Sequence, residues 1–224
     1  MKKRIFLLTL ILMFILSIPA QSGILWIKYG LFYPNCNSDL WETNFDNLLL
    51  QKSDFNTSQV FLTYEMPINR HLGISLDFGS IEKKEVDSEY RDYVYDDGTS
   101  INQAIRYKMG IFEINAKFYP MKKKEMIAPY LQIGAGFYSV EYNQWGEFID
   151  FEGGYVYEGD FLSKTTSLGV NGAVGIIIRP TARFLLGVEG RYQMIKTTLS
   201  SEFEGFEPLD MSGASFSFMV GLIL

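Results

Sequence analysis

The sequence predicts an all-β fold: an eight-stranded antiparallel up-and-down transmembrane β-barrel, preceded by a cleaved helical signal peptide. Three observations predict it. The last thirteen residues alternate, with Ala214, Phe216, Phe218, Val220, Leu222 and Leu224 on one face and Gly213, Ser215, Ser217 and Gly221 on the other. A period of two is the mark of a strand with one apolar and one polar face. An apolar final strand suits a ring in which last pairs with first and no edge is left. The first residues are basic (Met1-Lys-Lys-Arg4), then apolar from Ile5 to Ile18, broken by Pro19, and followed by the small residues Ala20 and Ser22. That order is a secretory signal with cleavage after Ser22, and the apolar run is shorter than the ~18–20 residues of a spanning helix. The connections between the remaining alternating segments are, third, short and long in turn.

Taken in order, the first strand covers 24–33, with Leu25, Ile27, Tyr29 and Leu31 opposite Trp26, Lys28, Gly30 and Phe32. The second covers 58–66 and sets Val60, Leu62, Tyr64 and Met66 against Phe61, Thr63 and Glu65. In the third, Leu72, Ile74, Leu76 and Phe78 alternate with Gly73, Ser75, Asp77 and Gly79. The fourth, 105–119, carries Phe112, Ile114, Ala116 and Phe118 against Glu113, Asn115 and Lys117. Tyr107, Met109 and Ile111 are out of phase with Phe112, which predicts a bulge near Ile111. The fifth (128–142), sixth (166–178) and seventh (184–197) repeat the pattern, with Gln132, Asn171, Glu189 and Arg191 on the polar side.

Turns at 67–71, 120–127 and 179–183 are tight and basic, carrying Arg70, Lys122, Lys123, Lys124, Arg179 and Arg183. The segments 34–57, 80–104, 143–164 and 198–210 are long and polar, and hold Asp92, Asp96, Asp97, Glu147, Asp150, Glu152, Glu202, Glu204 and Glu207. Short turns on one side and long loops on the other match an outer-membrane barrel of a diderm bacterium, with the short side periplasmic and the long loops extracellular. The domain division is therefore 1–22 signal peptide and 23–224 barrel. Aromatics near strand ends (Tyr33, Phe118, Tyr119, Tyr130, Tyr142, Phe184 and Tyr192) are expected to form interfacial girdles. A soluble lipocalin-like ligand-binding barrel would use the same strands with their apolar faces turned inward, which periodicity alone does not distinguish.

Two hairpins carry a family resemblance. Phe118-Tyr-Pro-Met-Lys-Lys-Lys-Glu-Met-Ile-Ala-Pro-Tyr-Leu-Gln-Ile-Gly-Ala-Gly-Phe137 resembles the small outer-membrane barrel family that includes OmpA-like and OmpW-like barrels. The stretch Gly169-Val-Asn-Gly-Ala-Val-Gly175 through Phe184-Leu-Leu-Gly-Val-Glu-Gly-Arg-Tyr192 is similar to that family's next hairpin. The resemblance implies outer-membrane lipid and lipopolysaccharide as surroundings, and the barrel-assembly machinery as a partner through the C-terminal strand. Members usually end in an aromatic residue, whereas this sequence ends in Leu224.

The polar faces would meet in the lumen as a network of Lys28, Glu65, Asp77, Glu113, Lys117, Gln132, Asn171, Glu189 and Arg191. An eight-stranded ring is only wide enough for side chains to fill, so these charges are expected to pair and plug it. No enzyme activity is expected. His71 is the only histidine, and it falls in a short turn, away from any outer-leaflet substrate. No cofactor and no metal site is expected, and the loop acids read as solvated. The net charge of −6 argues against nucleic acid, which needs a basic surface. Cys36 is the only cysteine, so an internal disulfide is excluded. The long loops mix their acids with Trp41, Phe45, Tyr90, Tyr93, Tyr95, Trp145, Tyr155, Tyr157 and Phe206, a composition suited to contact with an extracellular protein or glycan. The function expected is thus structural or surface-interacting, through acidic, aromatic loops. The alternative is a narrow pore or transporter for small, possibly hydrophobic molecules, as the resemblance to OmpW-like barrels implies.

Overall fold

The computed structural model describes residues 23–121 and 125–224, apart from the side chain of Ser201. The expected signal peptide and the triplet 122–124 of the second short turn lie outside the described residues. Eight strands form the wall: β1 (Ile24–Pro34), β2 (Thr57–Pro67), β3 (Leu72–Val94), β4 (Ser100–Phe118), β5 (Ile127–Asp150), β6 (Tyr155–Ile178), β7 (Phe184–Thr197) and β8 (Gly213–Ile223). Each is antiparallel to its sequence neighbour, and β8 pairs with both β1 and β7, so the ring closes. Tyr29 lies opposite Phe218 and Trp26 opposite Gly221 in the closing register.

The alternation decides which face looks where. Ile133 and Leu168 are 71% and 72% exposed, while Lys28, Asp77 and Glu113 across the pleat are buried. The apolar faces point outward all round the ring, which excludes the lipocalin arrangement. Inward glycines make room for rings: a methyl at Gly175 would collide with Tyr130, and one at Gly221 with Trp26.

The bulge expected near Ile111 is absent. The β4 register runs unbroken from Phe118 to Lys108 against both neighbours, and the β3–β4 register shifts lie higher, between Lys83 and Val86 and between Glu89 and Val94. Tyr107, Met109 and Ile111 are buried on the same face as Glu113. The pleat does not change phase; the lumen changes from polar to apolar above Glu113, so apolar residues switch faces without a backbone irregularity.

A second difference is height. The segments 80–104 and 143–164 are not loops but the upper halves of two tall hairpins. β3, β5 and β6 have 23, 24 and 24 residues, against the ~9–11 that a strand needs to cross a bilayer. From Tyr155 to Leu168, β6 pairs only with β5, and above Ile81, β3 no longer pairs with β2. Ser163, Thr165 and Ser167 still meet Ser200 and Thr197 through their side chains, so at ~3.3 Å per residue it is the stretch 155–161, about 23 Å, that stands clear of the ring. An open four-stranded sheet, β3–β4–β5–β6, rises from one side of the closed barrel.

The segment 35–56 is not a plain loop either. It holds α1 (Asp39–Asn47) and a 3-10 turn, Lys52–Phe55. Asn, Thr and Asp are poor helix formers and nine residues are too few for an isolated helix. Packing holds α1 instead: Leu40, Trp41 and Asn44 are buried, the Trp41 ring lies 4.6 Å from Phe55 and 5.7 Å from Tyr142, and its indole N–H donates to the Asp210 carbonyl at 3.1 Å.

Candidate functional site

From the short-turn end upward, the interior has three layers. The lowest is apolar: Ile24, Trp26, Tyr119, Ala128, Tyr130, Ile177, Leu185 and Met219 pack together. The middle is ionic. The uppermost is a larger apolar cluster in which Phe32, Phe61, Tyr107, Tyr138 and Tyr142 of the wall meet Cys36, Trp41, Leu48 and Phe55 of the segment above β1. Segment 35–56 therefore caps the tall end of the lumen.

All nine residues read from the sequence as a lumenal polar network, Lys28, Glu65, Asp77, Glu113, Lys117, Gln132, Asn171, Glu189 and Arg191, are buried inside the ring. Lys28 Nζ lies 3.2 Å from Asp77 Oδ2 and 2.9 Å from Glu189 Oε2. Arg191 bridges Asp77, at 3.8 Å, and Glu113, and its guanidinium sits 4.8 Å from the centre of the Phe61 ring. Lys117 pairs with Glu65 at 3.3 Å and lies 4.9 Å from the Tyr130 ring centre. Asn171 donates to Asn115 at 2.9 Å, with Gln132 beside it at 3.4 Å.

Sequence reasoning missed the donors that complete this belt. Tyr119 donates to Glu65 at 2.6 Å, Tyr130 to Glu189 at 2.5 Å, and Tyr138 to Glu113. The Trp26 indole also donates to Glu65, at 3.0 Å. Each of these three glutamates thus receives a cation and a phenol, the kind of partners that buried charges require, with Glu113 taking both on Oε1. This corrects the girdle expected at the strand ends. Tyr33, Phe118, Phe184 and Tyr192 do point outward, but Tyr119, Tyr130 and Tyr142 are buried inside. The signal was available in the pleat: Tyr119 and Tyr130 share parity with Lys117 and Gln132, which an assignment by nearness to a strand end overlooks.

At the tall end a groove of about 260 Å³ opens between α1, the inner face of the upstanding sheet and the turn at 201–206. Its floor is a chain of amides: Gln144 Nε2 donates to Asn44 Oδ1 (3.0 Å) and Gln103 Oε1 (2.7 Å), and Gln103 Nε2 donates to the Tyr90 hydroxyl (2.7 Å) and the Glu147 carbonyl (3.0 Å). Its walls are rings, with Phe148 and Tyr157 stacked at 5.8 Å and Phe148 edge-on to Phe161 at 4.8 Å. Burial pushes the Tyr90 hydroxyl above its ordinary value, so it remains a proton donor at neutral pH. Beneath, burial pushes the Cys36 thiol up to about 12, which keeps it protonated and inert. His71 lies at the other end of the barrel, its Nδ1–H on the Tyr119 carbonyl at 2.8 Å.

The family model for the outer membrane protein beta-barrel domain matches residues 7–223. No curated protein matches the chain. Among solved structures, Neisserial surface protein A (NspA) is similar at 13% identity with a TM-score of 0.51, covering 91% of this chain and 97% of NspA. The N-terminal β-barrel domain of Pseudomonas aeruginosa OprF is similar at 12% identity and a TM-score of 0.43, covering 91% and 100%. Ail of Yersinia pestis, solved with the heparin analogue sucrose octasulfate, is similar at 14% identity and 0.41, covering 91% and 99%. The outward apolar band, the closed ring of eight strands and a family match over nearly its whole length together show that the chain belongs to the outer membrane protein beta-barrel domain family and resides in the bacterial outer membrane.

Proposed function

We propose that this barrel is a surface-display protein: the ring anchors it, the tall sheet faces the cell exterior, the short turns face the periplasm, and contact with an extracellular partner is made above the membrane. One observation carries this reading. About 23 Å of paired strand stands clear of the ring on one side only, with aromatic side chains on its inner face and acids round it, above a lumen mouth packed with side chains of segment 35–56. A bare anchor has no use for the exposed rings of Tyr93, Phe151, Tyr155 and Tyr157. In this reading the chain has no catalytic role of its own; the placing of His71 at the far end from the crown supports that.

Two partner assignments follow. Just above the apolar band, Arg106, Lys108 and Lys164 face outward among Glu82 and Glu141, at 3.0–3.7 Å from them. This ledge suits lipopolysaccharide phosphates, which cations bind by charge-assisted hydrogen bonds. The outward Phe216, Phe218, Val220 and Leu222 of β8 form the face we assign to the barrel-assembly machinery.

The test joins topology with conductance. Cysteines placed at Gly98 and Gly154, the hairpin tips, should react on intact cells with a membrane-impermeant maleimide. The refolded barrel in a planar bilayer should pass no stepwise current. Protection of both tips, or current steps whose ion selectivity changes on Asp77→Asn, would overturn this reading in favour of a pore.

A further inference from the structure

We propose that the groove above the cap binds the cationic side chain, guanidinium before ammonium, of a basic segment in a protein partner. The proposal rests on the surface-display reading and names the chemistry that the crown recognises.

The argument begins with hydrogens. The three floor amides, Asn44, Gln103 and Gln144, carry six N–H hydrogens, two to each amide. Gln144 and Gln103 give both of theirs to partners within the protein, and Asn44 gives one to Tyr142 at 3.1 Å. Each amide oxygen receives one hydrogen bond from inside the network, Gln144 Oε1 from the Tyr142 hydroxyl at 3.1 Å. A carbonyl oxygen accepts two, so three acceptor places remain against one amide hydrogen and the Tyr90 hydroxyl. Glu202 on the rim adds a carboxylate, of which one oxygen takes the Leu162 N–H at 3.1 Å. Among the described residues it is the single charged one lining the groove, and no Lys, Arg or His of them lines it. The floor is thus rich in acceptors and poor in donors. A neutral sugar, which offers and accepts through every hydroxyl, would leave much of its accepting capacity unmet, and a sulfated or phosphorylated glycan would meet a carboxylate and no cation.

The walls point the same way. The faces of Phe148, Tyr157 and Phe161 carry the negative end of the ring quadrupole, which attracts a cation within ~6 Å of the centroid. A planar guanidinium also stacks on such faces while its fork of donors reaches acceptors at the edge, which an ammonium does not do. Tyr157 and Phe151 are 40% and 55% exposed, so the ring surface is open to a partner. The groove, at about 260 Å³, falls just below the ~300–1,000 Å³ of drug-sized sites and fits one side chain better than an extended ligand. The exposed acids Glu152 and Glu204 on neighbouring turns, with Glu158 and Asp160 on the other face of β6, supply a field that steers a basic segment toward this end of the barrel.

The test uses the refolded, detergent-solubilised barrel and isothermal titration calorimetry, with hexa-arginine, hexa-lysine, hexa-glutamate and maltohexaose as probes. Hexa-arginine is expected to bind saturably, one per barrel, more tightly than hexa-lysine, and the other two not at all. Tyr157→Ala with Glu202→Gln should weaken hexa-arginine at least tenfold with heat-shifted gel mobility unchanged. Asp92→Asn with Asp96→Asn removes more charge from outside the groove and should change binding less than twofold. Equal losses in the two variants would overturn the groove and leave only diffuse attraction to acidic loops. Binding of maltohexaose in place of hexa-arginine would overturn the cation assignment, as would no binding of any probe. None of these failures touches the surface-display reading, which stands or falls on tip labelling and conductance.

Discussion

Replacing Lys28 with methionine keeps the length of the side chain and removes the one ammonium that lies between Asp77 and Glu189. Both carboxylates are inside the ring, at 3.2 and 2.9 Å from Nζ. At an effective dielectric of ~20, each contact represents about 5 kcal/mol of gross attraction, most of it offset by taking the ions out of water. Removing one partner does not return that desolvation to the carboxylates left behind, and the net loss for such a break is ~3–5 kcal/mol. Arg191 still neighbours Asp77 at 3.8 Å, and Tyr130 still donates to Glu189, so the lower half of that range is expected. With an m-value of ~2 kcal/mol per molar urea, the unfolding midpoint of the refolded barrel should fall by roughly 1.5 M. Adding Glu189→Gln should recover part of the loss, because the second change removes a charge that the first left unpaired; a coupling above ~1 kcal/mol in the cycle is expected. Conductance should stay absent, because the cap of Trp41, Phe55 and Tyr142 is untouched. A midpoint shift below about 0.5 M, or a single variant that conducts, would refute the idea of a paired, closed belt.

Three further outcomes follow from single residues. Trp41→Ala removes the ring that holds segment 35–56 in the mouth, at ~3–5 kcal/mol for a buried tryptophan, so proteolysis within that segment should rise a hundredfold or more while the ring keeps its heat-shifted mobility. Cys36, with its thiol pushed up to about 12 by burial, should resist a maleimide at pH 8 in the folded protein and react at once in denaturant; equal rates would show the cap to be open. Asp150 accepts the N–H groups of Gly153 and Glu152, both at 2.9 Å, which hold its carboxyl below the ordinary value. A depressed folded value means that this contribution to the β5–β6 turn is complete above the ordinary carboxylate value of ~3.9 and is lost as pH falls through the folded one. Amide exchange at Gly153 should therefore be insensitive to turn opening at pH 5–7 and show the turn loosening only well below pH 4.

Much of the wall was legible because a barrel strand has only two faces. Lys28, Asp77, Glu113 and Arg191 alternate with lipid-facing Ile27, Phe78, Ile114 and Tyr192; parity put all four on one face, and their charge marked that face as the lumen. The tall hairpins were not legible. Above the membrane no lipid imposes an apolar outer face, so Glu82, Asp87, Glu89 and Lys164 on the outside of paired strands read as polar loop. The out-of-phase stretch Tyr107–Met109–Ile111 was seen and misjudged, because its partner, the cap from segment 35–56, comes from more than fifty residues earlier in the chain.

The sequence by itself determined the class, the ring, which residues of the lower wall share a face and the nine charged and amide members of the ionic belt, since all of these follow from local alternation and from the rule that backbone in lipid must pair internally. Only the tertiary structure decided which carboxylate takes which cation, which tyrosines turn inward to complete those pairs, that a short helix stoppers the mouth, and that five amide and phenol groups from α1, β3, β4 and β5 meet in one groove floor. Those arrangements join residues as far as 161 and 169 positions apart, such as Lys28 with Glu189 and Trp41 with Asp210. No pattern of period two contains them, because they depend on how the closed ring brings distant strands round to face one another.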